Sequence, residues 1–162
     1  MPLTERASLW LPDEAATEAL GGGLAQAFSQ GGMLFLEGDL GTGKTTLTRG
    51  LLRRLGYRGA VKSPTYTMVE PYSMLEPAVY HFDLYRLGEP EELEMMGIRD
   101  YMEKQALVIV EWPARGAGLL PAPDCHLLLE YSGSGRCASL FAGSEAGDTV
   151  IKGAAHAFEH RE

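Results

Sequence analysis

One short segment constrains the fold of this chain more than any other. Residues 38–45 read GDLGTGKT and fit the pattern G-x-x-x-x-G-K-[ST], which is typical of a loop that binds phosphate. The apolar run Met33-Leu34-Phe35-Leu36 precedes the loop and predicts a short buried strand. A helical pattern follows from about residue 44 to 55 and ends at Gly56. A phosphate-binding loop between a buried strand and a helix predicts an α/β protein.

The residue types in this loop suit a bound nucleotide. Glycines let the backbone turn so that its N–H groups point inward, and with the N-terminus of the next helix these groups form a cradle for anions. We expect Lys44 to reach the β and γ phosphates and the Thr45 hydroxyl to hold Mg²⁺, while Thr46 is a weaker candidate for a phosphate contact. The candidate nucleotide-binding residues of the loop are Asp39, Leu40, Gly41, Thr42, Gly43, Lys44, Thr45 and Thr46.

Two carboxylates follow segments that are candidates for strands, as a metal site beside a phosphate-binding loop requires. Glu111 comes directly after the run 107–110, and Asp83 comes directly after the run 79–82. Each run predicts a buried strand, and either carboxylate could bind Mg²⁺, directly or through water, while the other positions water. The spacing leaves both assignments open. Asp83 and Glu111 are therefore both candidate catalytic and metal-binding residues. Lys44 is a further catalytic candidate, and Thr45 is a further candidate for metal binding.

Further elements on either side of the loop complete the predicted fold. Asp13 is the expected N-cap of a helix over about 14–28, and short helices are expected at 91–96 and 100–104. Buried strands that alternate with helices favour a mostly parallel central sheet flanked by helices.

The C-terminal third of the chain predicts a different arrangement. Strands at about 126–131 and 136–142 meet at the turn sequence SGSG and indicate an antiparallel hairpin at the edge of the sheet. Residues 143–162 show weak periodicity and are expected to be a weakly structured tail, partly mobile or a short helix. The length of 162 residues predicts a single domain over the whole chain.

Composition excludes several classes of protein. A net charge of −8 argues against a chain that binds nucleic acid by itself, because backbone binding needs clustered Lys and Arg. The longest purely apolar run, residues 106–110, is far shorter than the roughly 18 residues that span a membrane. Cys125 and Cys137 are too few for a four-cysteine metal site. The N-terminal residues lack an apolar signal core, so we expect a cytoplasmic protein.

Three further motifs accompany the phosphate-binding loop in a fixed order. They are Ser63-Pro64-Thr65-Tyr66, then His81-Phe82-Asp83-Leu84-Tyr85-Arg86, then Glu111-Trp112-Pro113. Together with the loop they resemble the TsaE (YjeE) family, the bacterial ATPases of tRNA threonylcarbamoyladenosine biosynthesis. The resemblance runs from about residue 17 to 121, and the tail beyond it has no match.

This resemblance implies a P-loop NTPase fold that binds ATP with Mg²⁺ and hydrolyses ATP slowly when alone. It implies a partner, the threonylcarbamoyl-transferase TsaD with its companion TsaB, which modifies adenosine at position 37 of tRNAs that read codons beginning with A. Contact with tRNA is expected only through that complex, and no membrane is involved. By the resemblance, Thr65 faces the nucleotide and metal, and Asp83 polarises water or ties a switch segment to Mg²⁺.

Several alternatives stay open at this point. Arg86 is a candidate catalytic residue that stabilises charge in the transition state, or it pairs with Asp83 or with a surface acid. His81 is expected to be a hydrogen-bonded structural histidine rather than a proton carrier. Because P-loops also serve other proteins, a small-molecule kinase and a non-catalytic, nucleotide-gated binding module are the alternative functions.

Overall fold

The computed structural model describes residues 2–103 and 105–161. Its strands, in chain order, are β1 (Thr4–Leu11), β2 (Gly32–Gly38), β3 (Val69–Tyr72), β4 (Val79–Asp83), β5 (Leu107–Glu111), β6 (Cys125–Ser132) and β7 (Gly135–Ala142). Its helices are α1 (Glu14–Ala27), α2 (Lys44–Arg54), α3 (Glu92–Met95), α4 (Ile98–Glu103) and α5 (Glu145–Glu159), with a short 3-10 turn at Pro113–Gly116.

All the strands belong to one sheet in the order β1-β7-β6-β2-β5-β4-β3. The four central strands, β6, β2, β5 and β4, run parallel to one another, which confirms the predicted α/β class. Antiparallel pairing occurs at both edges, through β3 on one side and through β7 and β1 on the other. The predicted β6–β7 hairpin is present, but β1 covers its outer side and forms the edge. Neither β1 nor β3 was predicted from the sequence.

Helices cover the sheet on both faces. On one face, α1, α2 and α5 pack against the strands with residues such as Leu20, Leu51 and Ile151. On the other face, α3 and α4 contribute Leu93 and Ile98 to a smaller cluster. None of the described helices combines the length and the apolar character needed to cross a bilayer. Both helices of the smaller cluster occur near their predicted positions, and the predicted end of the second at residue 104 lies outside the described residues.

Residues 143–162 were expected to be a weakly structured tail, partly mobile or a short helix, and most of the described part is helical. Residues 145–159 form the helix α5, and the Ser144 hydroxyl accepts a hydrogen bond from the Gly147 N–H at 2.9 Å as its N-cap. Val150, Ile151, Ala154 and Phe158 bury one face of this helix against the core. The small residues between them, glycines and alanines, weaken the apolar signal in the sequence while allowing close packing.

The first two helices touch through glycine. A Cβ atom on Gly21 would collide with the carbonyl oxygen of Leu47, and one on Gly50 would collide with the carbonyl oxygen of Glu18. Because glycine has only a hydrogen atom in place of a side chain, the backbones of α1 and α2 can approach each other directly at these two positions. Since α2 begins at the phosphate-binding loop, this contact also sets where the loop lies relative to α1.

Adjacent glycines in α1 provide a matched test of this contact. Gly21→Ala is expected to lower the free energy of unfolding by about 1–3 kcal/mol, because the added methyl group overpacks the helix interface. At Gly22 a new Cβ lies 3.8 Å from Arg54 Cβ, an ordinary contact. Gly22→Ala should therefore raise stability by about 0.5–1 kcal/mol through helix propensity. Urea unfolding of both variants measures the difference, and equal stability would contradict the close approach.

Candidate nucleotide-binding site

The loop between β2 and α2 adopts a conformation that needs glycine. Gly41 has a φ of +83° and Gly43, the N-cap of α2, has a φ of +109°, and side chains strongly disfavour this left-handed region. Thr42 is buried and its hydroxyl donates a hydrogen bond to the Asp39 carbonyl oxygen at 2.7 Å. The helix proper starts at Lys44, so its free N–H groups face the loop as an anion site requires.

Two side chains from the β6–β7 hairpin hold the tip of this loop. The Tyr131 hydroxyl donates to the Leu40 carbonyl oxygen at 2.8 Å, and an Arg136 guanidinium nitrogen donates to the Gly41 carbonyl oxygen at 3.3 Å. The Arg136 guanidinium also lies over the Tyr131 ring, 4.4 Å from its centroid. Sequence reasoning missed both residues, because their contact with the loop spans about 90 positions and follows no motif.

The predicted carboxylates lie side by side at the ends of neighbouring strands. Asp83 ends β4 and Glu111 ends β5, and the two are register partners in the parallel pair. Leu36 of β2 is in register with Glu111 on its other side, two residues before the loop starts at Gly38. The parallel core thus brings the loop and both carboxylates to one edge of the sheet.

Glu111 is held by two basic side chains. Its Oε2 lies 2.6 Å from His81 Nε2, and its Oε1 lies 3.5 Å from Lys44 Nζ. Burial by itself raises the pKa of Glu111, but the hydrogen bond and charge of His81 and the charge of Lys44 outweigh it, so the pKa is lowered from its ordinary value. Glu111 therefore keeps its negative charge in a site where it is only 4% exposed.

Asp83 anchors the segment that carries Thr65. The Thr65 hydroxyl donates to Asp83 Oδ2 at 3.2 Å, and the Tyr85 N–H donates to Asp83 Oδ1 at 2.9 Å. Ser63 and Thr65 share a further hydroxyl contact at 2.7 Å. Both carboxylate oxygens of this buried side chain are thus engaged by neighbouring groups.

The loop and the carboxylates surround a cleft of about 600 Å³. Nine of the candidate site residues line it directly: they are Leu40, Gly41, Gly43, Lys44, Thr45, Thr46, Thr65, Asp83 and Glu111. A second pocket of about 210 Å³ adjoins the cleft, sharing Gly43 and Thr46, and is further lined by Leu11, Pro12, Thr17, Gly135 and Arg136.

Three candidate residues lie outside the large cleft. Thr42 turns its hydroxyl back into the loop and lines the smaller pocket, while Asp39 borders a groove on the other side of the loop. Arg86 is exposed and stacks on Tyr66, with its guanidinium 4.4 Å from the ring centroid. The two carboxylate oxygens of Asp83 accept hydrogen bonds from Thr65 and Tyr85. Among the described residues, the alternative ion pair between Asp83 and Arg86 is not found.

Trp112 connects the phosphate-binding loop with the segment after β4. The Lys44 Nζ lies 4.9 Å from the centroid of a Trp112 ring, and Tyr85 packs on Trp112 at 5.0 Å between ring centroids. Trp112 itself has a φ of +56°, in the left-handed region. Trp112 lines the cleft, where its ring lies beside Lys44.

The donor atoms in the cleft suit a hard divalent cation. The Thr45 and Thr65 hydroxyls and the carboxylates of Asp83 and Glu111 supply oxygen only, which Mg²⁺ prefers. Within the described residues, no group of three or more His, Cys, Asp or Glu side chains could hold a metal ion. The oxygen atoms that the cleft side chains offer fit Mg²⁺.

A glycine-rich loop that leads from a parallel strand into a helix, with carboxylates on the adjacent strand ends, is the arrangement of the P-loop NTPases. The family model for the threonylcarbamoyl adenosine biosynthesis protein TsaE matches residues 11–138. The chain belongs to the TsaE family, which confirms the resemblance found in its motifs.

Individual relatives agree with this assignment. The tRNA threonylcarbamoyladenosine biosynthesis protein TsaE of Haemophilus influenzae is 50% identical over 119 residues, covering 74% of this chain and 75% of that protein. The protein of the same name from Bacillus subtilis is 37% identical over 68% of this chain and 69% of its own length. A crystal structure of Bacillus subtilis YdiB superposes with a TM-score of 0.80 over 96% of this chain and 97% of that chain, at 25% identity.

The hold of the hairpin on the loop can be tested through nucleotide affinity. Tyr131→Phe removes only the hydroxyl that bonds the Leu40 carbonyl and should weaken ADP binding about fivefold, which corresponds to about 1 kcal/mol for one neutral hydrogen bond. Tyr57→Phe is the matched control, since that hydroxyl bonds the Ala60 carbonyl away from the loop. Titration calorimetry measures both, and equal affinities would show that the hairpin contact does not position the loop.

Proposed function

We propose that the chain binds ATP with Mg²⁺ in the 600 Å³ cleft and hydrolyses it in support of tRNA threonylcarbamoyladenosine biosynthesis. The observation that carries this proposal is the convergence of Lys44, Asp83 and Glu111 on one cleft at the phosphate-binding loop. Membership of the TsaE family supplies the biosynthetic context.

The two connected pockets suggest how the nucleotide lies. Lys44 contacts Glu111 at 3.5 Å, longer than the 2.7–2.9 Å of a good charge-assisted hydrogen bond, so phosphate oxygens can compete for it. We place the phosphates over the loop beside Lys44. We place the base in the 210 Å³ pocket between the β1–α1 connection and the β6–β7 turn.

We propose that Mg²⁺ is bound by Thr45, Glu111 and Asp83, which line the cleft. When bound, Mg²⁺ would neutralise negative charge on the phosphates and favour their attack by water. Glu111 presents its Oε1 toward Lys44 at the cleft. Asp83 holds Thr65, so we propose that it orders the segment 63–66 around the nucleotide. A role of Arg86 at the transferred phosphate stays a prediction, since Arg86 stacks on Tyr66 outside the cleft.

A protein partner accounts for the surface around the cleft. Leu40 and Tyr85 line the cleft and are 92% and 47% exposed. Exposed apolar side chains clustered at one place favour contact with another protein. We propose that the TsaD–TsaB transferase complex is this partner. Because the chain carries a net charge of −8, tRNA would be reached only through that complex, in the cytoplasm.

Removal of the loop lysine tests the nucleotide site. Lys44→Ala should weaken ATP binding by about tenfold to a hundredfold, because a charge-assisted phosphate contact worth about 1.5–3 kcal/mol is lost. Lys152→Ala removes the same charge from an exposed position on α5 and should leave binding unchanged. If the two variants bind ATP equally well in calorimetry, the assignment of the loop is refuted.

Hydrolysis with and without the partner tests the activity. ATP turnover by the wild type should be slow alone and rise when the purified TsaD–TsaB pair is added, and Lys44→Ala should abolish the rise. A rate that the pair leaves unchanged would favour a nucleotide-gated binding module or a kinase with an untested acceptor.

Glu111→Gln tests the metal assignment with a side chain of the same shape. The neutral amide should raise the Mg²⁺ concentration needed for half-maximal turnover by at least about tenfold, since even indirect changes around a metal commonly cost that much. Glu37→Gln changes a carboxylate outside the cleft, paired with His126, and is the control. An unaltered Mg²⁺ titration of the Glu111 variant would exclude Glu111 from the metal site.

A further inference from the structure

Glu111 is bound from two directions, and only one of its two basic neighbours lies in the cleft. Lys44 approaches Oε1 from the cleft, while His81 approaches Oε2 from inside the sheet, where it is 1% exposed. We propose that His81 is a positioning residue of the nucleotide site: its Nε2–H holds Oε2, so that Oε1 alone faces the phosphates and the metal. This inference rests on the proposed function.

The sheet fixes the histidine and the carboxylate against each other. β4 and β5 are parallel neighbours in which His81 is in register with Ile109, two residues before Glu111. His81 and Asp83 lie two residues apart on β4 and therefore point to the same face. The imidazole thus fills the position immediately behind the two carboxylates, where it has no route to solvent.

The hydrogen-bonding pattern assigns the roles of the two ring nitrogens. His81 Nδ1 is buried and has no hydrogen-bond partner among the described residues, whereas Nε2 lies 2.6 Å from Glu111 Oε2. A buried N–H without a partner is rarer in proteins than an acceptor without one. We therefore assign a proton to Nε2, which donates it to the carboxylate.

The hydrogen bond from His81 to Glu111 affects Lys44 as well as Glu111. A buried carboxylate that loses one donor must find another, and Lys44, at 3.5 Å, is the charged donor already in contact. Without His81, Glu111 would draw closer to Lys44, and the tighter ion pair would compete with phosphate for the lysine. His81 thus keeps Lys44 available to the nucleotide and at the same time keeps Oε1 turned toward the metal.

Two substitutions of His81 separate this role from simple packing. The side-chain amide nitrogen of glutamine extends about as far as Nε2, while that of asparagine extends only as far as Nδ1. His81→Gln can therefore donate to Glu111, and His81→Asn cannot. We would measure ADP affinity by calorimetry with Mg²⁺ and with EDTA, together with the urea midpoint of each variant.

His81→Asn should bind ADP about tenfold more weakly without metal and should lose most of the gain in affinity that Mg²⁺ gives the wild type. His81→Gln should stay within about twofold of the wild type in both conditions. His126→Asn is the matched control, because His126 contacts Glu37 through a similar pair at 2.9 Å outside the cleft and its loss should not change either affinity.

Each other result would overturn the inference. If His81→Asn binds ADP as the wild type does and only its unfolding midpoint falls, His81 is structural. If His81→Gln loses affinity relative to the wild type, the N–H donor is not what matters, and this result decides by itself when His81→Asn fails to fold. If the wild type itself binds no ADP, or shows no response to Mg²⁺, the proposed function fails as well.

Discussion

The site depends on the parallel pairing of β2, β5 and β4. Hydrogen-bonded neighbouring strands lie about 4.8 Å apart, so the register of Leu36 with Glu111 and of Glu111 with Asp83 fixes the spacing of these positions before any side chain is considered. Segments that are far apart in the sequence thereby meet at one edge. The phosphate-binding loop can then be short, because the strand before it already ends beside Glu111, with Asp83 on the next strand.

Charge is concentrated where the sheet is least accessible. Glu111 contacts both Lys44 and His81, and all three side chains are at most 10% exposed, so their charges need pairing because burying an unpaired charge is costly. The pairing keeps the three groups in place without nucleotide. Arrival of a phosphate would let Lys44 exchange one anion for another with little rearrangement, which is how a preorganised site lowers the cost of binding charge.

Local signals made much of this site predictable. Lys44 and Thr45 follow from a contiguous motif, and Asp83 and Glu111 follow from an acid directly after an apolar run. Tyr131 was not predictable, because its contact with the loop depends on how a distant hairpin folds back. The helix α5 was predicted only in part, because glycines and alanines among its buried residues weaken the pattern and left a mobile tail or a short helix as alternatives.

The order of strands in the sheet differs from their order along the chain. Among the described strands β1 pairs with β7 alone, although the two are separated by most of the sequence. A ribosome that makes the chain from its N-terminus therefore releases β1 long before its partner exists. Leu9 and Leu11, which the finished structure buries, must wait without their final neighbours during synthesis. β1 can therefore take its place at the edge of the sheet only after β7 has been made.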